Sequence, residues 1–268
     1  MEKLNIAMLQ TDIVWADPQK NREKAAALMD SAPDACLYIL PEMFSTGFCT
    51  SPDGIAEEEP SASLEWMKSQ AAARKAAIAG SIAMHTGGLF RNRFCFAHPD
   101  GRTDFYDKRH LFSYGHEHRE FTAGDSRVIT VFNGMRILLQ ICYDLRFPVW
   151  SRNREDYDMA IYVANWPTAR ADAWKTLLKA RAIENQCYAC GVNRAGADPY
   201  NKYPGASALI GPDGRIAAEC GDAADIAVTA EIDMELLRKF RGTFPVLKDA
   251  DRFSISAEEE KTPRCAQD

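Results

Sequence analysis

Two hydrophobic patterns alternate along the chain. Short, almost uninterrupted apolar runs are separated by longer stretches in which apolar residues recur every three or four positions, the spacing of one helix face. Leu4 to Leu9 reads as a buried strand. "DPQKNREKAAALMDSA" follows, with Asp17 as N-cap and Pro18 at the first helical position, where its missing N–H costs nothing. "CLYIL" is a short buried strand that stops at Pro41. "PSASLEWMKSQAAARKA" is a second amphipathic helix and leads into the strand "AIAGSIAM". Gly87-Gly88 marks a turn, and "LFRNRFCFAHPDGRTDFYDK" reads as two strands joined at Pro99-Asp100-Gly101, its arginines on a solvated strand face.

The second half repeats this order. "RVITVFNGMRILLQIC" is a hairpin turning at Asn133-Gly134, a sequence that accepts the positive φ angles of a tight turn. "DMAIYVANW" is a strand, "ARADAWKTLLKARAIENQ" a helix of about five turns, and "CYACGVNR" another strand. "GASALIGPDGRIAAEC" is a hairpin around Pro212-Asp213-Gly214, followed by the strand "DIAVTAEID" and a short helix near "MELLRKF". No Gly/Ser linker or charge block separates the halves. The pattern predicts one α/β domain over residues 1–256, with a sheet flanked by helices from each half, and a polar tail over 257–268. The hairpins require mixed rather than purely parallel sheets.

Composition narrows the function. The 268 residues are 46% hydrophobic and 26% charged, with a formal charge of −6 and scattered basic residues. A nucleic-acid partner is therefore not expected, because it needs a concentrated positive face. No window approaches the ~18 apolar residues of a membrane span, and the apolar run in the opening "MEKLNIAMLQ" is too short for a signal-peptide core. Eight irregularly spaced cysteines do not form a disulfide framework. A cytoplasmic protein with reduced thiols is expected.

Three polar residues stand at or just past the ends of apolar strands: Glu42 after "CLYILP", Lys108 after "TDFYD" and Cys142 after "RILLQI". Strand ends of α/β sheets are where ligand clefts form. A thiol, a carboxylate and an ammonium brought together there form a covalent-catalysis set of nucleophile, base and oxyanion stabiliser. Taken singly, each has a plainer reading: a strand-end Cys is usually core, and Glu or Lys in a loop is usually solvated. Spacing alone does not link positions so far apart.

Resemblance supplies the link. "LPEMFSTGF", "DKRHLF" and "ICYDLRFPVWSR" together resemble the nitrilase superfamily of carbon–nitrogen hydrolases, in that family's order and over nearly the whole chain. The resemblance implies a four-layer α-β-β-α sandwich of two mixed sheets, and it implies Glu42, Lys108 and Cys142 as catalytic residues. It also implies a further Glu ahead of a Pro-Gly pair. Glu117 has that spacing and is the fourth catalytic residue the resemblance implies, near the substrate and placed to position its amide or the water, although Ala123 stands in place of the proline and Glu120 is close by. The backbone N–H of Tyr143 would share the oxyanion with Lys108. No metal or organic cofactor is implied, and His116 and His118 are read as loop or cleft-wall residues.

"ICYDLRFPVWSRN", "YVANWP" and "ARAIENQCYACGVNRAG" resemble bacterial ω-amidases within the superfamily. These hydrolyse the terminal amide of short dicarboxylate monoamides such as 2-oxoglutaramate and 2-oxosuccinamate, releasing ammonia. The expected partners are thus a small amide and water. A substrate with a distal carboxylate needs a cation opposite Cys142, and Arg170, Arg146 and Lys175 are candidates. Arg170 is preferred, because Arg146 lies in a motif shared across specificities and is assigned a structural salt bridge. Asn165, Trp166, Phe44, Phe48 and Tyr143 are assigned to the pocket walls. A carbamoylase, an aliphatic amidase or a nitrilase would share the chemistry. A non-catalytic interaction module would not need the intact Glu42, Lys108 and Cys142. A redox role for Cys187 and Cys190 conflicts with their place at the start of an apolar strand rather than a helix. The resemblance also implies at least a homodimer, with Trp174, Leu177, Leu178 and Arg181 in core or subunit contact.

Overall fold

A computed structural model describes residues 3–255, so the polar tail expected from residue 257 lies outside the described residues. The first half contributes strands β1 (Lys3–Gln10), β2 (Leu37–Ile39), β3 (Glu57–Glu58), β4 (Ala77–Thr86), β5 (Leu89–Ala97) and β6 (Thr103–Asp107), with helices α1 (Pro18–Asp30) and α2 (Ala62–Arg74). The second half contributes β7 (Ile129–Phe132), β8 (Met135–Ile141), α3 (Pro148–Ser151), β9 (Met159–Ala164), α4 (Ala171–Asn185) and β10 (Tyr188–Asn193). It continues through β11 (Ala195–Ala197), β12 (Lys202–Pro204), β13 (Ala208–Ile210), β14 (Ile216–Glu219), β15 (Ile226–Asp233) and α5 (Met234–Thr243).

Two large mixed sheets result. One runs β15-β1-β2-β4-β5-β6, with β3 joined to β4, and the other runs β14-β13-β10-β9-β8-β7. Each has a parallel centre, β1-β2-β4 in the first and β8-β9-β10 in the second. Antiparallel strands flank both centres.

The period of two along a strand sorts its side chains between two cores. Leu4, Ile6 and Met8 of β1 meet Ile137, Leu139 and Ile141 of β8 between the sheets. The residues between them face outward. Ala7 and Leu9 pack with Met29 of α1 and Met67 of α2, while Leu138 packs with Trp174 and Leu178 of α4. The layers are therefore helix, sheet, sheet, helix, as expected.

The predicted helix starts are also present. Asp17 caps α1 by accepting from the Lys20 N–H, and Ser61 caps α2 by accepting from the Leu64 N–H. One prediction is shortened: Thr168–Arg170 wind as a tight 3-10 turn, and α4 proper spans Ala171–Asn185. The small β11–β12 hairpin is not visible in the hydrophobic pattern.

Candidate active site

The sheets present their strand ends to one cleft. Glu42 follows β2 and is fully buried. Its turn is fastened to β4, where the Met43 N–H donates to Ser81 Oγ at 2.9 Å. Lys108 follows β6. Its N–H donates to Asn92 O, and its carbonyl accepts from the Gly124 N–H at 2.9 Å. A Cβ on Gly124 would stand 2.2 Å from the Asp107 carbonyl oxygen, so only glycine allows this approach.

Cys142 follows β8 and adopts φ +44°, a left-handed conformation that costs a non-glycine residue about 1–3 kcal/mol. The buried carboxylate of Asp144 holds that turn in place. Its Oδ2 accepts from the Ile141 N–H at 2.9 Å and from Tyr106 Oη at 2.8 Å. Its Oδ1 accepts from the His110 N–H at 3.0 Å.

Glu42, Lys108 and Glu117 form one buried ion network. Lys108 Nζ donates to Glu42 Oε1 at 2.8 Å and to Glu117 Oε2 at 2.9 Å, and all three side chains are sealed from solvent. Asn92 Nδ2 donates to Glu42 Oε1 at 2.8 Å and to Glu117 Oε1 at 3.1 Å. Asn92 is in turn held by Ser81 Oγ at 2.9 Å. The Phe112 N–H donates to Glu117 Oε2 at 2.6 Å, and the Asn165 N–H to Glu42 Oε2 at 2.9 Å.

The charges bias one another. Burial opposes the charge on Lys108, but the Glu117 and Glu42 carboxylates outweigh it and raise the lysine above its ordinary value. Burial, with Glu42 alongside, also raises Glu117, against the pull of Lys108. Burial and then the Glu42 carboxylate push the Cys142 thiol well above its ordinary value, with Lys108 opposing them. The resting thiol is therefore protonated at neutral pH and stands beside a carboxylate able to receive its proton.

Cys142 and Lys108 line a cavity of about 260 Å³, together with Phe48, Tyr143, Arg146, Asn165, Trp166 and Arg170. This is close to the lower end of the ~300–1,000 Å³ range for small-molecule sites. The Arg170 guanidinium lies 5.3 Å above the Phe112 ring, and that of Arg146 lies 4.9 Å above Trp166. Among the described residues neither forms an ion pair.

Three expectations, on Arg146, Lys175 and Phe44, are corrected. Arg146 has no salt bridge among the described residues and lines the cavity over Trp166. Lys175 is exposed on α4, away from the cavity, because the outward face of that helix presents it to solvent. Phe44 is not a wall: it packs beside Trp66 in the core between the first sheet and its helices. Glu117 is the buried glutamate, whereas Glu120, His116 and His118 are exposed. No group of three potential metal ligands occurs among the described residues. Cys187 faces α4 and Cys190 faces the other sheet, on opposite sides of their strand, and burial pushes the Cys187 thiol up to about 12. That geometry cannot form a dithiol pair.

The motifs in the sequence do not include Asn92 or Ser81. The available signal was a polar residue in the core-facing register of β5, where Asn92 precedes Phe94 and Phe96, both packed between the sheets.

A thiol that lines the cavity, with a buried carboxylate and ammonium at the neighbouring strand ends of an α-β-β-α sandwich, is a set of groups suited to covalent hydrolysis. The carbon-nitrogen hydrolase family profile matches residues 5–242, and the chain belongs to that family. It is 43% identical to omega-amidase YafV of Escherichia coli (strain K12), over 95% of this chain and 100% of the relative. It is 35% identical to 2-oxoglutaramate amidase of Bacillus subtilis (strain 168), over 92% of this chain and 97% of the relative. The crystal structure of a CN-hydrolase superfamily protein from Xanthomonas campestris, with an arsenic adduct in its active site, superposes with a TM-score of 0.93 at 42% identity. That match covers 96% of this chain and 100% of the other.

Proposed function

We propose that the protein is an ω-amidase that hydrolyses short dicarboxylate monoamides, of which 2-oxoglutaramate and 2-oxosuccinamate are examples, through a thioester on Cys142. The observation that carries this reading is one cavity lined by a thiol and by two guanidiniums, Arg146 and Arg170, that have no carboxylate partner among the described residues. A substrate with an amide at one end and a carboxylate at the other complements both walls. The full-length similarity to omega-amidases and to a 2-oxoglutaramate amidase supports the same substrate class.

Cys142 Sγ attacks the amide carbon as its proton passes to Glu42. The oxyanion is held by Lys108 Nζ and the Tyr143 N–H. Glu42 returns the proton to nitrogen, the C–N bond breaks and ammonia leaves. Glu42 then activates the water that hydrolyses the thioester. Glu117 is a positioning residue: its oxygens receive Lys108, Asn92 and the Phe112 N–H, and so hold the ammonium and the amide that face Glu42. The distal carboxylate is assigned to Arg170, with Arg146 beside it, and Asn165, Trp166 and Phe48 shape the pocket.

A cytoplasmic location and a homodimer belong to the same proposal. The seven described cysteines are free thiols, in keeping with a reducing compartment. No helix among the described residues is long and apolar enough to cross a membrane.

The test is ammonia release from a panel of 2-oxoglutaramate, 2-oxosuccinamate, glutamine, an aliphatic nitrile and a carbamoyl amine. The two oxo-amides should have the highest kcat/KM. A faster reaction with any of the others would overturn the substrate assignment.

A further inference from the structure

Trp166 follows Asn165 at the end of β9 and lines the cavity from a buried position. Its backbone is pinned on both sides: the N–H donates to Asn193 Oδ1 at 2.7 Å, and the carbonyl accepts from Asn193 Nδ2 at 3.0 Å. Asn193 is fully buried on β10, and its own N–H donates to Ser207 Oγ at 2.9 Å. The indole packs against Trp174 of α4, with ring centroids 5.5 Å apart. This platform touches both cavity arginines. The Arg146 guanidinium lies 4.9 Å from the ring centroid, within cation–π range. The indole N–H donates to the Arg170 carbonyl oxygen at 2.8 Å, which closes the 166–170 loop and fixes the residue from which α4 starts. Indole suits both contacts, because it combines a broad π face with an N–H donor at its edge. Phenylalanine offers the face without the donor, and leucine offers neither.

We propose that Trp166 is the positioning residue of Arg146 and Arg170, and that through them it sets the preference of the site for amides that end in a carboxylate. This rests on the ω-amidase reading and deepens it. A free arginine side chain samples many rotamers, and a carboxylate that binds it has to stop that motion. A guanidinium already laid on a ring, and an arginine whose backbone is already tied down, lose less on binding. The pair is therefore set before the substrate arrives. The gain lies in recognition of the distal carboxylate and not in the steps at Cys142, which use Glu42 and Lys108. The same strand end serves both tasks: one residue before Trp166, the Asn165 N–H donates to Glu42 Oε2 at 2.9 Å.

The experiment measures kcat and KM for succinamate and for butyramide, which carries a methyl group where succinamate carries its carboxylate. Trp166→Phe keeps a face for Arg146 and deletes the N–H that holds Arg170, whereas Trp166→Leu deletes both contacts. The succinamate-to-butyramide ratio of kcat/KM should fall in Trp166→Phe. It should fall further in Trp166→Leu, by about tenfold or more, the usual scale for contacts to a charged group. The loss should appear in KM for succinamate. A purely structural role would lower both activities together and leave the ratio unchanged. In an Arg146→Gln/Arg170→Gln background, Trp166→Leu should no longer move the ratio, because the residues through which it acts are gone. A wild-type preference that survives Trp166→Leu, or a fall that persists without the two arginines, overturns the proposal. If Trp166→Leu does not fold, Trp166→Phe with and without Arg170→Gln gives the same comparison. A wild type with no preference for succinamate overturns the ω-amidase reading itself, and is thus told apart from a failure of Trp166 alone.

Discussion

The Asp144 carboxylate accepts from both the backbone N–H and the Nδ1 of His110, at 3.0 and 2.8 Å, and so ties the turn that carries Cys142 to the segment just after Lys108. The His110 ring is stacked on Phe147 at 3.9 Å, which closes the link from the other side of the turn. The Cys142 turn and the Lys108 segment thus share one fastening at the buried Asp144 carboxylate. Asp144→Ala would leave the His110 and Ile141 N–H groups and Tyr106 Oη without their acceptor. With about 1–3 kcal/mol for each buried group left unmet, the variant should lose about 3 kcal/mol or more in urea unfolding, and kcat should fall further than KM rises.

Lys108→Met tests the ion network. It keeps the bulk of the side chain but leaves two buried carboxylates facing each other without a cation. Breaking such a network from one side costs about 3–5 kcal/mol. Turnover should fall at least ~10²-fold, the usual effect of losing an oxyanion donor. Unfolding measurements together with steady-state rates check both parts.

The raised pKa of Cys142 has a direct pH signature. Thiolate is the form that reacts with iodoacetamide. Its fraction is small at pH 7 and rises roughly tenfold per pH unit until the raised pKa is reached. Labelling of the Cys142 peptide, followed by mass spectrometry, should therefore still accelerate above pH 9. Glu42→Gln removes a negative neighbour, so the thiol pKa should fall and the labelling curve should move to lower pH, even though amide hydrolysis is lost. A labelling rate already level at pH 7 in the wild type would contradict this electrostatic picture.

Gly124→Ala places a methyl group 2.2 Å from the Asp107 carbonyl, directly before Lys108. Overpacking of this kind costs about 1–3 kcal/mol. A thermal melt should show the loss, and kcat should drop through displacement of Lys108 while the cavity residues remain unchanged.

Arg170→Gln separates recognition from chemistry. KM for 2-oxoglutaramate should rise about tenfold or more, whereas the rate with butyramide, which has no distal carboxylate, should change little. Equal losses on both substrates would assign Arg170 to the scaffold.

Much of this architecture was legible from hydrophobic period alone, because the central strands are covered on both faces and read as unbroken apolar runs, while the helices pack one face. Glu42, Lys108 and Cys142 were legible through the resemblance of their three motifs to the family, because a strand-end position alone does not link residues so far apart. The supporting residues were harder to see. Asn92 lies between Arg91 and Arg93, and the pair reads as a solvated face; in the structure Arg93 is instead fastened to Asp107 at 2.7 Å, and the intervening side chain points into the site. Nothing local distinguishes Glu117 from Glu120. Burial alone decides between them, and burial depends on how the 112–117 turn closes over Lys108. The roles of Asp144 and Asn165 depend on partners distant in sequence, which no local pattern encodes.

The central claim, a Cys142 thioester formed from an ω-amide, is tested most directly by acid-quenching the protein during turnover of 2-oxoglutaramate and analysing its peptides by mass spectrometry. The acyl group should appear on the Cys142 peptide of the wild type. Cys142→Ala should show no adduct and no ammonia release while its melting profile remains that of a folded protein. Continued ammonia release by folded Cys142→Ala would contradict the mechanism.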